Sequence, residues 1–98
     1  DEMVNDFTLY QNYPNPFNPV TTIEFNLPEP AIVTLKVFNV LGQEVSVPID
    51  RRSMDADQEI INFDASNLPS GIYFYQVIGE PLSGGTIMSQ VKKMIVLK

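Results

Sequence analysis

The stretch Gln11 to Pro19, QNYPNPFNP, most narrows what this chain can fold into: three prolines and three asparagines fall within nine residues, with Tyr13 and Phe17 between them. Proline fixes φ, donates no backbone hydrogen bond and pushes the residue before it toward extended geometry. Asn-Pro pairs start turns. The segment therefore excludes a helix or a central strand, while its two aromatic rings favour burial. The expected solution is a rigid strap across the edge of a β domain, its rings turned inward.

The residues after the strap carry the all-β pattern: short β-branched and aromatic runs separated by Pro, Gly, Asn and Asp. Thr21 to Leu27 alternates, with Ile23, Phe25 and Leu27 on one face and Thr22, Glu24 and Asn26 on the other, as a half-buried strand does. Pro28 and Pro30 end it. Ala31 to Asn39 puts Val33, Leu35 and Val37 on one face, leaving Phe38 on the other with Thr34 and Lys36, in need of cover from the strap or a loop. Leu41-Gly42-Gln43 predicts a tight hairpin turn with Gly42 at positive φ. Glu44 to Ile49 returns as a short strand, Pro48 marking an edge or an ending, and polar Asp50 to Gln58 predicts a loop. Glu59 to Phe63 is a strand with Ile61 and Phe63 inward. Ile72 to Ile78 is apolar on both faces, which predicts a central strand. Glu80 to Gly85 reads as a hairpin loop, and Thr86 to Val91 and Lys93 to Leu97 complete the set.

No segment keeps a 3.6-residue period beyond two turns. About seven short strands with regular turn signals predict an all-β fold: one immunoglobulin-like or fibronectin III-like sandwich of antiparallel strands over residues 7–98, with residues 1–6 the end of a linker. Leu68-Pro69-Ser70-Gly71-Ile72-Tyr73 has the form of a tyrosine corner, so the Tyr73 hydroxyl is expected to bond back to the backbone upstream.

Composition removes most function classes. The chain has 98 residues, no cysteine and no histidine. There is no disulfide or thiolate chemistry, and the usual general base and commonest transition-metal ligand are missing. The net charge of −6 argues against nucleic acid, which needs a basic face. No apolar run is long enough to span a membrane, and the first residues do not carry a signal-peptide pattern. Starting at Asp1-Glu2 without an initiator methionine, it reads as the C-terminal piece of a longer polypeptide.

Charge is unevenly spread. Every acidic residue lies at or before Glu80, and Lys92, Lys93 and Lys98 are half of the six positive charges. Such lysines either protect an edge strand from pairing with other chains or present an address to a receptor.

Candidate chemistry fails on inspection. Asp55, Asp57 and Glu59 space three carboxylates at every second residue, but without the glycine and bidentate glutamate of a calcium loop, so the reading is a solvated acidic loop. No serine has a flanking base, and no phosphate or dinucleotide fingerprint occurs. No metal, cofactor or enzymatic activity is expected. Tyr10, Tyr13, Tyr73 and Tyr75 invite a carbohydrate-binding reading, against which stands core and strap packing, since they alternate with other apolar residues.

Taken together, the motifs resemble the C-terminal sorting domains of proteins exported by the bacterial type IX secretion (Por) system. The opening Leu9-Tyr-Gln-Asn-Tyr-Pro-Asn-Pro-Phe-Asn-Pro19 is the family hallmark, carried by Asn12, Tyr13, Pro14, Asn15, Pro16, Phe17, Asn18 and Pro19. Val33 to Val45, with Gly42 at its turn, matches the hairpin. Leu68 to Tyr75, with Ser70, Gly71 and Tyr73, matches the aromatic strand, and Lys92-Lys-Met-Ile-Val-Leu-Lys98 the terminal one. Val20, Phe38-Asn39 and Phe63 depart mildly from the usual residues, and a glycine usual near Ala56 is missing.

The resemblance implies a sorting signal that directs a larger cargo protein, lying N-terminal to it, across the outer membrane. Its partners would be the outer-membrane secretion machinery and a sortase-like surface peptidase, and the product would be secreted or on the bacterial surface after transit through the periplasm. Lys92, Lys93, Met94, Ile95, Val96, Leu97 and Lys98 are expected to form the partner-binding surface, read by β-augmentation and steered by charge toward an acidic partner. The alternative is an accessory structural or carbohydrate-binding sandwich of an extracellular polysaccharide hydrolase.

Overall fold

The computed structural model describes residues 6–98; the first five, within the expected linker end, lie outside the described residues. Seven strands follow one another: β1 (Thr8–Leu9), β2 (Val20–Leu27), β3 (Ala31–Phe38), β4 (Glu44–Met54), β5 (Asp57–Asp64), β6 (Gly71–Pro81) and β7 (Met88–Val96). They form a three-stranded sheet, β1-β2-β5, and a four-stranded sheet, β4-β3-β6-β7. Every pair of neighbouring strands is antiparallel, and no helix occurs among the described residues.

Two-residue alternation builds the core. Ile23, Phe25 and Leu27 of β2 face Val33, Leu35 and Val37 of β3, Tyr75 and Val77 of β6, and Met94 and Val96 of β7, all without solvent exposure. Burying each such side chain contributes roughly 1.5–3 kcal/mol. β6 lies between β3 and β7, the central place that its apolar character predicts. Gly42 turns the β3–β4 hairpin at φ +80°, a conformation that disfavours any Cβ. The Tyr73 hydroxyl donates to the Pro69 carbonyl at 2.7 Å, closing the corner.

Several elements differ from expectation. Tyr13 turns outward, against the inward turn expected of the strap's rings, and β6 runs through Glu80 and Pro81, expected as loop. Asp50 to Met54 is strand, not loop, so β4 runs to 11 residues. Its pairing with β3 shifts register three times, and Arg51 takes φ +48°. Such bulges carry Pro48 and a charged run within an edge strand, where a regular ladder would reject them. β7 is one continuous strand instead of two. Phe38, expected to need cover from the strap or a loop, lies half-buried on the outer face between Phe74 of β6 and Glu44 of β4.

Candidate functional site

The strap, residues 10–19, is sewn to both sheets. At its start Tyr10 and Tyr13 pair with β2: the Tyr10 and Tyr13 amides donate to the Glu24 and Thr22 carbonyls, both at 3.0 Å. At its far end the Phe17 amide donates to the Ile95 carbonyl at 3.0 Å, and the Leu97 amide to the Phe17 carbonyl at 2.9 Å. Phe17 thus forms a parallel bridge with Val96 while its ring enters the core. Tyr13-Pro14, Asn15-Pro16 and Asn18-Pro19 are cis.

Between these ends the side chains do the fastening. The buried Tyr75 hydroxyl accepts from the Asn12 amide at 2.7 Å and donates to the Tyr10 carbonyl at 2.8 Å. Burial pushes its phenol up to about 12, against the opposing effect of the Asn12 bond. The buried Asn12 amide group donates to the Thr21 hydroxyl and the Pro14 carbonyl. Asn15 Oδ1 accepts from the Ile95 amide at 2.9 Å, and the Gln11 side chain donates to the Lys93 carbonyl at 2.6 Å. Upstream, Gln90 Oε1 accepts from the Leu9 amide and its Nε2 donates to the Phe7 carbonyl.

This geometry changes how the terminal residues are available. β7 is the edge of its sheet, but over Lys93 to Leu97 its outer main-chain groups are taken by the strap. β-augmentation there, expected from the sequence, finds the edge filled. Met94 and Val96 are fully buried and anchor the strand. Lys98 does not float free: its ammonium donates to the Ala65 and Ser66 carbonyls at 3.1 and 2.8 Å, and its amide to the Ser70 hydroxyl at 2.9 Å. Hydrogen bonds from the Ser66 hydroxyl and amide, with the Lys98 charge, hold the nearby Asp64 carboxyl below its usual range. Lys92 is half-buried, opposite Tyr75.

What the terminal strand does present is side chains. Lys93 and Ile95 stand opposite Phe74 and Ile72 of β6, and Phe74 stands opposite Phe38 of β3. With Val91, they make a largely apolar outer face that also carries Gln76 and Lys36. Lys36 is paired with Glu44, and the exposed ammonium is that of Lys93. The pieces of this face are visible in the sequence, Ile72 to Ile78 being apolar on both faces and Phe38 falling on the outer side. Their junction is not, because it joins three strands whose register no single segment encodes. Among the described residues no three Asp or Glu side chains are gathered as a metal would need, and no helix is long and apolar enough to cross a membrane.

The model of one family, described as a secretion system C-terminal sorting domain, matches residues 11–97. The chain belongs to this family. The match begins at the strap and ends at the strand it fastens. Type IX sorting domains direct a cargo protein N-terminal to them to the bacterial surface or out of the cell, through the type IX machinery. The family is one of sorting signals, not catalysts. No curated protein matches the chain. Among solved structures it is similar to CopC from Methylosinus trichosporium OB3b, with 13% identity, a TM-score of 0.60 and 93% of each chain covered. At that identity the likeness shows the sandwich fold alone.

Proposed function

We propose that this sorting domain, residues 7–98 behind the end of a linker at 1–6, acts as a folded, non-catalytic export signal. It is recognised by side chains on the outer face of β6 and β7, not by strand addition at the chain end. The carrying observation is that the strap occupies the outer edge of β7 while Lys93 and Ile95 remain turned outward beside Ile72 and Phe74. A largely apolar face whose exposed ammonium, Lys93, is in neither of the two ion pairs among the described residues suits an apolar, acidic docking site on the secretion machinery. Lys92, Met94, Val96, Leu97 and Lys98 serve that surface by holding it in place. The cargo transits the periplasm, and a sortase-like surface peptidase then removes the domain. The alternative role, an accessory carbohydrate-binding module, rests on Tyr10 and Tyr13 alone, since Tyr73 and Tyr75 are core residues.

The test is export of a fluorescent reporter fused ahead of the domain in an export-competent host. Deleting Lys93 to Lys98 would not discriminate, because it removes core residues Met94 and Val96. The informative variant is Ile72→Glu with Lys93→Glu, both exposed. Thermal unfolding should stay close to wild type while the reporter remains inside. Normal export by the folded variant would overturn the reading.

A further inference from the structure

The opposite face of the sandwich has a different chemistry. Tyr10 and Tyr13 do not turn inward; they are 40% and 50% exposed on the outer surface of the three-stranded sheet. Tyr10 is paired with Glu24 of β2, but its hydroxyl accepts from the Asn26 side chain at 2.7 Å. Tyr13 is paired with Thr22, but its hydroxyl donates to Glu24 Oε1 at 3.2 Å. Each hydroxyl is therefore held one rung further along β2, a step of about 7 Å. Both side chains lean the same way along the sheet, and both remain open to solvent.

Glu24 sits at the middle of this row. Its two oxygens accept from neutral donors, the Tyr13 hydroxyl and the Gln58 side chain. Neither of the two ion pairs among the described residues involves it, so its charge is oriented but not neutralised. Desolvation, then the bond to Glu24 and its charge, push the Tyr13 phenol up and keep it a donor. The strap and the three-stranded sheet, residues 6–27 and 57–64, contain five acidic residues and no lysine or arginine. All six cations lie on β3, β4 and β7 or at the chain end.

We propose that this tyrosine face is a second binding surface, and that its occupant is a basic, extended protein segment. Arginine or lysine side chains of the segment stack on the Tyr10 and Tyr13 rings and meet the Glu24 carboxylate between them. The face of an aromatic ring is electronegative and attracts a cation, most often a guanidinium. Two such faces and an unneutralised carboxylate, with no cation on the sheet to compete, complement positive charge and repel phosphate or uronate. The amides of Asn26, Gln58 and Asn62, on the same face in register with β2, offer polar partners to the segment's backbone. The surface lies on the other sheet from the face assigned to the secretion machinery, and the inference stands apart from that assignment.

The experiment is a titration of the full domain with an arginine octapeptide, followed by chemical-shift changes and repeated at high salt. Changes should centre on Tyr10, Tyr13, Glu24 and Asn26 and collapse with salt. Glu24→Gln and Tyr13→Leu should each weaken binding about three- to tenfold. Asp50→Asn, which removes one exposed acid from the other sheet, should change it less than twofold. Equal weakening by Asp50→Asn would reveal mere attraction to net charge and overturn the proposal. So would no binding, shifts caused instead by a neutral oligosaccharide, or shifts that follow protein concentration and mark self-association.

Discussion

The two long sides of the sandwich are finished differently. On one, the strap closes the gap between β2 and β7, and its backbone and side chains occupy the edge that β7 would expose. On the other, β4 and β5 end their sheets with no further strand paired to them among the described residues. An uncovered edge invites other strands. The strap side solves this by covering the edge, while the open side relies on local devices: the bulges and Pro48 of β4, and the acidic Asp57, Glu59 and Asp64 of β5. Covering an edge fixes what it touches. It explains why the hallmark residues and the terminal strand, 80 positions apart at the Asn15–Ile95 bond, form one structural unit.

The sharpest way to break this contrast is to unfasten the strap. Phe17→Ala removes a buried ring that also seats the bridge to Val96. The expected loss is about 3–5 kcal/mol in denaturant unfolding. In native-state hydrogen exchange, the Ile95 and Leu97 amides should lose their protection and come to resemble the outer edge of β5. Retained protection at both amides would show that the strap is held by something other than its aromatic anchor.

Tyr75→Phe comes next. The change keeps the buried ring but leaves the Asn12 amide and the Tyr10 carbonyl without their partner. A buried unsatisfied polar group costs about 1–3 kcal/mol. The wild-type hydroxyl also carries a pH signature. Its folded value of about 12 lies above the ordinary tyrosine value of about 10, so the folded state holds the proton more tightly. That contribution is fully present below pH ~10 and is lost as pH rises through the folded value. Unfolding midpoints against pH should therefore fall more steeply above pH ~10 in the wild type than in Tyr75→Phe. Parallel curves would refute the coupling.

Much of this contrast was legible in the sequence, and the reasons for the rest are physical. Alternation in Thr21 to Leu27 and Ala31 to Asn39 placed two strands and their inward faces, because the inward residues of each are fully buried while all but Thr34 of the outward ones are partly exposed. The proline-asparagine run announced a strap across an edge. Which edge it covers could not be read, and the expectation that both rings turn inward holds for Phe17 but not for Tyr13. Phe17 is 3% exposed and Tyr13 is 50% exposed, yet both belong to one proline-asparagine segment that has no period to distinguish faces. The bulges of β4 disguised strand as loop, since each extra residue breaks the two-residue count. Lysines at the chain end read as free charge, but whether Lys98 is free depends on the Ala65 and Ser66 carbonyls, contributed by a distant turn.

Asn15→Ala sharpens the comparison from the strap side with a smaller effect. It removes the acceptor of the Ile95 amide at an exposed site, where water can replace it. The loss should be no more than about 1 kcal/mol. Exchange should quicken at Ile95 alone, with Leu97 still protected through its bond to the Phe17 carbonyl. Equal quickening at both amides would mean that the strap lifts as a whole and that Asn15 is its latch.

The smallest expected effect on stability belongs to the open side and tests whether its devices are sufficient. Ile60 of β5 is 58% exposed on the outer face, paired with Glu24 of β2. Ile60→Glu removes little buried area, so unfolding should change by no more than about 0.5 kcal/mol. It does place a like charge opposite Glu24, which pushes the change toward destabilisation. Its larger consequence lies in association. Aligning two copies of β5 antiparallel brings Asp57 toward Asp64, so the existing acids already oppose self-pairing, and a further carboxylate between them deepens that opposition. Removing the flanking charges with Asp57→Asn and Asp64→Asn should act in reverse, with concentration-dependent dimerisation in sedimentation while Ile60→Glu stays monomeric. If the neutralised variant also stays monomeric, the acids of β5 are not what guards this edge.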